Sequence, residues 1–173
     1  MRYVWVLRHA KATPRGAGGE DRARPLAARG HRQGAALRAR LPGLATTRRP
    51  LPSLVLCSSA RRAHQTAEDV MAGLDPDARL ELDPSLYSAD AGAIVERLRL
   101  VPDEVTSVMV VGHNPTLHEL CFDLVSVDDE PSRRRLDQGF PTAALAVVGI
   151  EVPVWADLVV GEGHLEELVV PER

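Results

Sequence analysis

Tyr3-Val4-Trp5-Val6-Leu7-Arg8-His9-Ala10-Lys11 is a short apolar run that stops at once in an Arg-His pair. A run this short with such sharp bounds reads as a buried strand at residues 3–7. The pattern recurs. Residues 54–57 end in Ser58-Ser59-Ala60-Arg61-Arg62, and residues 107–111 end in Gly112-His113-Asn114-Pro115. Residues 79–82 form a shorter candidate strand, and β-like runs at 144–150 and 165–170 finish the chain.

Helical patterns fill the intervals. After a Gly-, Arg- and Pro-rich loop at 12–25, Gly30, Gly34, Leu37 and Leu41 share one helix face, and the two glycines predict close packing on a sheet. Gly-Pro punctuation around Pro42 and Pro50 closes that segment. Ser58-Ser59 is expected to cap a helix with the stripe Ala63, Ala67, Val70, Met71 and Leu74. Residues 91–100 form another, with Ile94, Val95 and Leu98 inward. Asn114 suits the N-cap and Pro115 the first position of a helix striped by Leu117, Leu120, Cys121, Leu124 and Val125. Residues 126–139 are polar and read as a long loop. The alternation predicts an α/β fold: a three-layer sandwich with a mainly parallel central sheet flanked by helices, residues 1–173 forming one domain.

The chain has 173 residues and a net charge of −3, with 45% hydrophobic and 26% charged residues. That balance suits a soluble domain and argues against nucleic-acid or anionic-membrane partners. No apolar stretch approaches the ~20 residues of a membrane span, and no signal peptide is visible, so a cytoplasmic protein is expected. Cys57 and Cys121 read as buried free thiols of a reducing compartment. Lys11 is the only lysine among 21 basic residues.

Ligands of open parallel sheets bind at the carboxyl ends of strands. Three strand ends therefore bring Arg8, His9, Arg62 and His113 to one edge. Arginine forks match phosphate oxygens, and Arg62 falls in the first turn of a helix, where backbone N–H groups also favour an anion. Neighbouring guanidinium groups disfavour protonation of His9, and a neutral imidazole is a nucleophile. Taken singly, Arg8 reads as a surface ion-pair partner, His9 as a loop histidine and Arg61-Arg62 as a solvated helix start. Their convergence points to phosphoryl chemistry. No Cys-x-x-Cys or His-Glu-x-x-His pattern exists, and no metal or cofactor is expected. The run Arg133-Arg134-Arg135 reads as solvated, with Asp128-Asp129-Glu130 as its neutralising neighbours.

Leu7-Arg8-His9-Ala10 resembles the Arg-His-Gly motif of the histidine phosphatase (phosphoglycerate mutase-like) superfamily. Residues 57–67 resemble its Arg-Ala-x-Gln-Thr-Ala segment, and Val111-Gly112-His113-Asn114-Pro115 its Gly-His segment. Arg24-Pro25-Leu26 with Gly30, and Phe140-Pro141-Thr142-Ala143-Ala144, are similar to stretches of the SixA-type phosphohistidine phosphatase branch. The resemblance implies His9 as the phosphorylated nucleophile, a phosphate pocket completed by Arg8, Arg62 and His113, and Arg24 nearby for substrate. Many members carry an acidic residue near residues 86–90 that protonates the leaving group. Here Ser88 takes that place, and Asp90 is the possible general acid. The implied activity is a metal-independent phosphatase acting on a phosphorylated protein, most readily one carrying phosphohistidine. The alternatives are a broad phosphomonoesterase of small phosphorylated substrates, with Asp90 as acid, and a phospho-ligand binding module without turnover. Oligomeric state is left open.

Overall fold

A computed structural model describes residues 1–16 and 19–171. β1 (Arg2–Arg8), β2 (Leu54–Ser58), β3 (Arg79–Asp83), β4 (Ser107–Gly112), β5 (Leu145–Ile150) and β6 (His164–Val169) form a six-stranded sheet in the order β3-β2-β4-β1-β5-β6. β3, β2, β4 and β1 are parallel neighbours, whereas β5 runs antiparallel to both β1 and β6.

Alternation along each strand builds two cores. Val4, Val6, Leu54, Leu56, Val108 and Val110 face a layer of α3 (Ala91–Arg99), α4 (Thr116–Leu124) and α5 (Glu130–Asp137). Trp5, Leu7, Val55, Cys57, Met109 and Val111 face α1 (Ala28–Leu44) and α2 (Arg61–Met71). β1, β2 and β4 are buried along their length, as both-sided strands should be; this is why they read as continuous apolar runs. The three-layer α/β sandwich expected from the alternation is the fold found. Cys57 and Cys121 are buried free thiols, and no helix among the described residues is long and apolar enough to cross a membrane.

Five local expectations change. Residues 126–139 are not a loop throughout, because Glu130–Asp137 is helical, with Asp129 accepting from Ser132 N (3.2 Å) and Pro131 in the first turn. Its buried residues are only Ser132 and Leu136, too few to print an apolar stripe. α1 runs through Pro42 to Leu44. Its glycines pack not on the sheet but on neighbouring chain. A Cβ on Gly30 would lie 2.2 Å from the Lys11 carbonyl oxygen, and one on Gly34 would lie 2.7 Å from Asp69 Cβ in α2. The cap of α2 is Ala60, since Ser58 still belongs to β2. Pro115, not Asn114, is the cap of α4; the Asn114-Pro115 bond is cis, and Asn114 Nδ2 donates to the Phe140 carbonyl (2.8 Å).

Candidate active site

The strand order places β4 between β2 and β1, and the register does the rest. Leu7 pairs with Val111, Val111 with Cys57, and Arg8 with Gly112. The residues after these pairs, His9, His113 and Ser58, therefore leave the sheet at one level. His9 N donates to the Gly112 carbonyl (3.0 Å), tying the two exits together. The motif residues around them serve as scaffold. Thr66 Oγ1 accepts from Ala10 N (3.0 Å), Gln65 Oε1 accepts from Leu26 N (2.8 Å), and Gln33 Oε1 accepts from Lys11 N (2.9 Å). Ala143, in the left-handed region at φ 63°, donates its N–H to the carbonyls of Arg8 and His9 (both 3.2 Å). An alanine held there is a strained residue, kept by its surroundings.

A cavity of about 330 Å³ opens above this edge. Arg8, His9, Arg62, His113 and Arg24 all line it, so five predicted site residues meet in one place. Asp90 does not join them. It is exposed, and its carboxylate accepts from Ala93 N (2.8 Å) as the cap of α3. The residue expected as a possible general acid thus starts a helix and is not among the residues lining the cavity.

Hydrogen bonds fix both imidazoles. Arg62 Nε donates to His9 Nε2 (3.3 Å), so that nitrogen carries a lone pair and Nδ1–H donates to the Ala10 carbonyl (2.8 Å). Arg62 Nη2 lies 3.4 Å from His113 Nδ1, which must accept from it. His113 Nε2–H then donates to Ser58 Oγ (2.8 Å). Burial first, then His113, Arg62 and Arg8, pull His9 down to about 3 against the opposing Ala10 bond. Burial and Arg62 likewise pull His113 down to about 4, although Asp21 opposes them. Both rings are neutral near pH 7, and the one His9 lone pair, on Nε2, is held at the cavity by the long contact from Arg62 Nε, which must give way when that nitrogen attacks.

Asp21, Tyr87 and Ser58 are site residues that the sequence did not single out. Asp21 Oδ2 accepts from Arg62 Nη2 (3.0 Å) and from the Tyr87 hydroxyl (2.8 Å). Its Oδ1 accepts from Arg24 Nε (3.0 Å), and its backbone carbonyl from Arg62 Nη1 (2.7 Å). Burial works against this carboxylate's charge, but the Tyr87 hydroxyl, Arg62 and Arg24 outweigh it and hold its pKa well below the usual range. Asp21 is the only acidic residue lining the cavity among the described residues. It lies in a short 3-10 turn, Asp21–Ala23, with no periodic neighbour to announce it. Arg8 Nη1 donates to the Phe140 carbonyl (2.8 Å), while its buried Nε has no hydrogen-bond partner among the described residues.

Two other histidines have structural partners. His31 pairs with Asp69 (2.9 Å), and His118 Nε2–H donates to the Leu136 carbonyl (2.8 Å). Among the described residues no group of His, Cys, Asp and Glu is placed to hold a metal ion.

Comparison with known proteins agrees with this geometry. Residues 4–100 match the model of the histidine phosphatase superfamily, branch 1. An uncharacterized protein of Mycobacterium tuberculosis strain H37Rv is 38% identical over 172 residues, spanning 95% of this chain and 99% of the relative. A structure from Agrobacterium tumefaciens assigned as phosphohistidine phosphatase SixA superposes with TM-score 0.81 at 27% identity, covering 99% of both chains. The protein histidine phosphatase SixA complexed with tungstate superposes with TM-score 0.74 at 27% identity, covering 96% of this chain and 95% of the other. With its strand-end Arg-His pair, its second histidine and its helix-borne arginine in one cavity, the chain belongs to the histidine phosphatase superfamily and is a phosphatase.

Proposed function

We propose that this phosphatase hydrolyses phosphohistidine on proteins, with His9 as the transient phosphoryl acceptor. The observation that carries the reading is the state of Asp21. It is the one carboxylate lining the cavity among the described residues, and Arg62, Arg24 and Tyr87 keep it ionised. An ionised carboxylate has no proton for an alkoxide. A general acid contributes roughly 10²–10⁴-fold, so alkyl phosphates should be poor substrates here. A phosphohistidine ring carries its own proton on the distal nitrogen and leaves as neutral imidazole. The two SixA structures, one assigned as a phosphohistidine phosphatase and one as a protein histidine phosphatase, support the same substrate class.

His9 Nε2 attacks phosphorus in line with the P–N bond of the substrate. The new P–Nε2 bond forms as that P–N bond breaks, and the electron pair leaves on the substrate imidazole. Arg8 and Arg62 hold the equatorial oxygens, and His113 joins them when its Nε2–H turns from Ser58 Oγ to a phosphoryl oxygen. Arg24 extends the positive wall toward the substrate. Water then attacks phospho-His9. The P–Nε2 bond breaks with its electron pair returning to Nε2, one water proton stays on the phosphate, the other passes to solvent, and His9 returns neutral with its Nδ1–H still on Ala10.

Phosphate release from a protein phosphorylated on histidine, measured beside release from a small alkyl phosphate with EDTA in both, tests the proposal. Fast release from the first and little from the second is expected. Comparable rates would mean that a working acid exists and would make the enzyme a general phosphomonoesterase. Loss of both activities in EDTA would point to a metal.

A further inference from the structure

The phosphate cavity does not end at Thr142. Arg8, Asn114 and Thr142 also line a second cavity of about 770 Å³, whose lining includes Arg29, Arg135, Phe140 and Leu168. That cavity adjoins a third, of about 640 Å³, through Arg29, Gln33 and Pro171. The third is walled by Arg29, Arg32, Gln33, Ala36, Leu37 and Arg40. These positions follow i, i+3, i+4, i+7, i+8, i+11, so a single face of α1 forms the wall. Val169 and Pro171, at the end of edge strand β6, supply the opposite side.

The chemistry of this groove is uneven. Arg29, Arg32, Arg40 and Arg135 are exposed. Among the described residues none of them is in an ion pair, although ten ion pairs engage the arginines elsewhere. A protein of net charge −3 thus places four exposed guanidinium groups, none in an ion pair among the described residues, along one trough that starts at its phosphate site. Between them lie aliphatic side chains. From Arg29 to Arg40 the helix face runs about 16 Å, far longer than one phosphohistidine.

We infer that this groove docks the phosphorylated protein itself, taking an acidic segment or helix face that flanks its phosphohistidine. The inference rests on the phosphohistidine reading above and names how that substrate is selected. Charge complementarity speeds encounter and fixes register, while the aliphatic floor gives the contact area. A nucleic acid fits less well. The α1 part of the groove has no aromatic side chain on which bases stack, and the rest of the molecule is acidic.

The test compares kcat/KM on a histidine-phosphorylated protein of net negative charge with kcat/KM on free phosphohistidine. Arg32→Glu and Arg40→Glu should each lower the protein-to-free ratio several-fold, and together by about tenfold, with the difference shrinking as salt rises. Arg79→Glu, an equal charge change on β3 at the opposite edge of the sheet, should move the ratio by less than about twofold. Turnover of free phosphohistidine reports directly that each variant is folded. An unchanged ratio in the double variant overturns the docking groove. So does loss of DNA retention by that variant with the ratio intact, which would assign the face to nucleic acid. Failure of the unsubstituted enzyme on both phosphohistidine substrates overturns the function itself, and it is read before any variant is made.

Discussion

Asp21→Asn should make the enzyme bind phosphate more tightly. In the free enzyme the Asp21 carboxylate sits 3.0 Å from Arg62 Nη2, on the guanidinium that is to hold the phosphoryl group. A phosphoryl oxygen on that same guanidinium comes within about 4–5 Å of the carboxylate. Two unit charges at 4 Å repel by about 1 kcal/mol in bulk water and about 4 kcal/mol at an effective dielectric of 20. The Asp21 side chain is 22% exposed, so the lower part of that range applies, about 1.4–2 kcal/mol, or at least tenfold in affinity. Asparagine keeps an oxygen for Arg62 and Tyr87; it removes the charge together with the acceptor that Oδ1 offers Arg24 Nε. The assay is competitive inhibition by inorganic phosphate or vanadate at fixed ionic strength, with thermal unfolding as a check on folding. An inhibition constant about tenfold lower is expected, with the gap narrowing in high salt. A constant that is unchanged or higher in a well-folded variant would show that the Asp21 charge does not oppose the bound phosphate. It would mean that Asp21 matters chiefly by aiming Arg62, so that its charge is not a rival of the substrate's.

Other perturbations report on other parts of the molecule. His9→Ala should abolish turnover of phosphohistidine; retention of more than a few per cent would remove His9 as the acceptor. The pH dependence has a defined sign. His9 and His113 are lowered from 6.5 to about 3 and about 4, so between those values and 6.5 the unfolded chain binds protons that the folded one does not. Their stabilising contribution is full above pH 6.5 and is lost as pH falls through that window, by at most about 2.7 kcal/mol per pH unit if both respond fully. Urea unfolding at pH 7, 5.5 and 4.5 measures it, and a flat profile would contradict the neutral rings. Gly30→Ala pushes a methyl group into the Lys11 carbonyl, which lies 2.2 Å from the Cβ position. It should cost about 1–3 kcal/mol in thermal or urea unfolding; a neutral result would show that α1 can shift freely from the loop it braces.

What the sequence made legible depended on whether its signal was local. β1, β2 and β4 are buried on both faces, so they print as apolar runs, and the residue after each run is where chemistry belongs in a parallel sheet. Arg8, His9, Arg62 and His113 were accordingly visible. α5 was not, since it buries little and its cap and proline lie in a polar stretch. Asp21 was hidden for a different reason. Its partners Arg62 and Tyr87 stand 41 and 66 residues away, and a turn residue has no period that points to distant contacts. Ser58 lay in plain view beside the motif. Read as a helix cap, it accepts at its oxygen from Ala60 N and also from His113, and only the pairing of β2 with β4 reveals the second bond.

The position of β4 has a consequence for how the chain comes to life. β2 with β3 on one side, and β1 with β5 and β6 on the other, touch within the sheet only through β4. Until residue 112 has been made, the sheet has no middle and the two histidines have no common floor. Such non-local pairing is slow to nucleate, because long stretches of chain must be closed before any contact rewards it. A nascent chain holding the Arg-His pair and the α2 arginine is therefore chemically inert, and catalysis should switch on in one step when the strand between them zips in. Substitutions inside β4, at Met109 or Val110, should accordingly slow refolding and the return of activity together, rather than trimming activity alone.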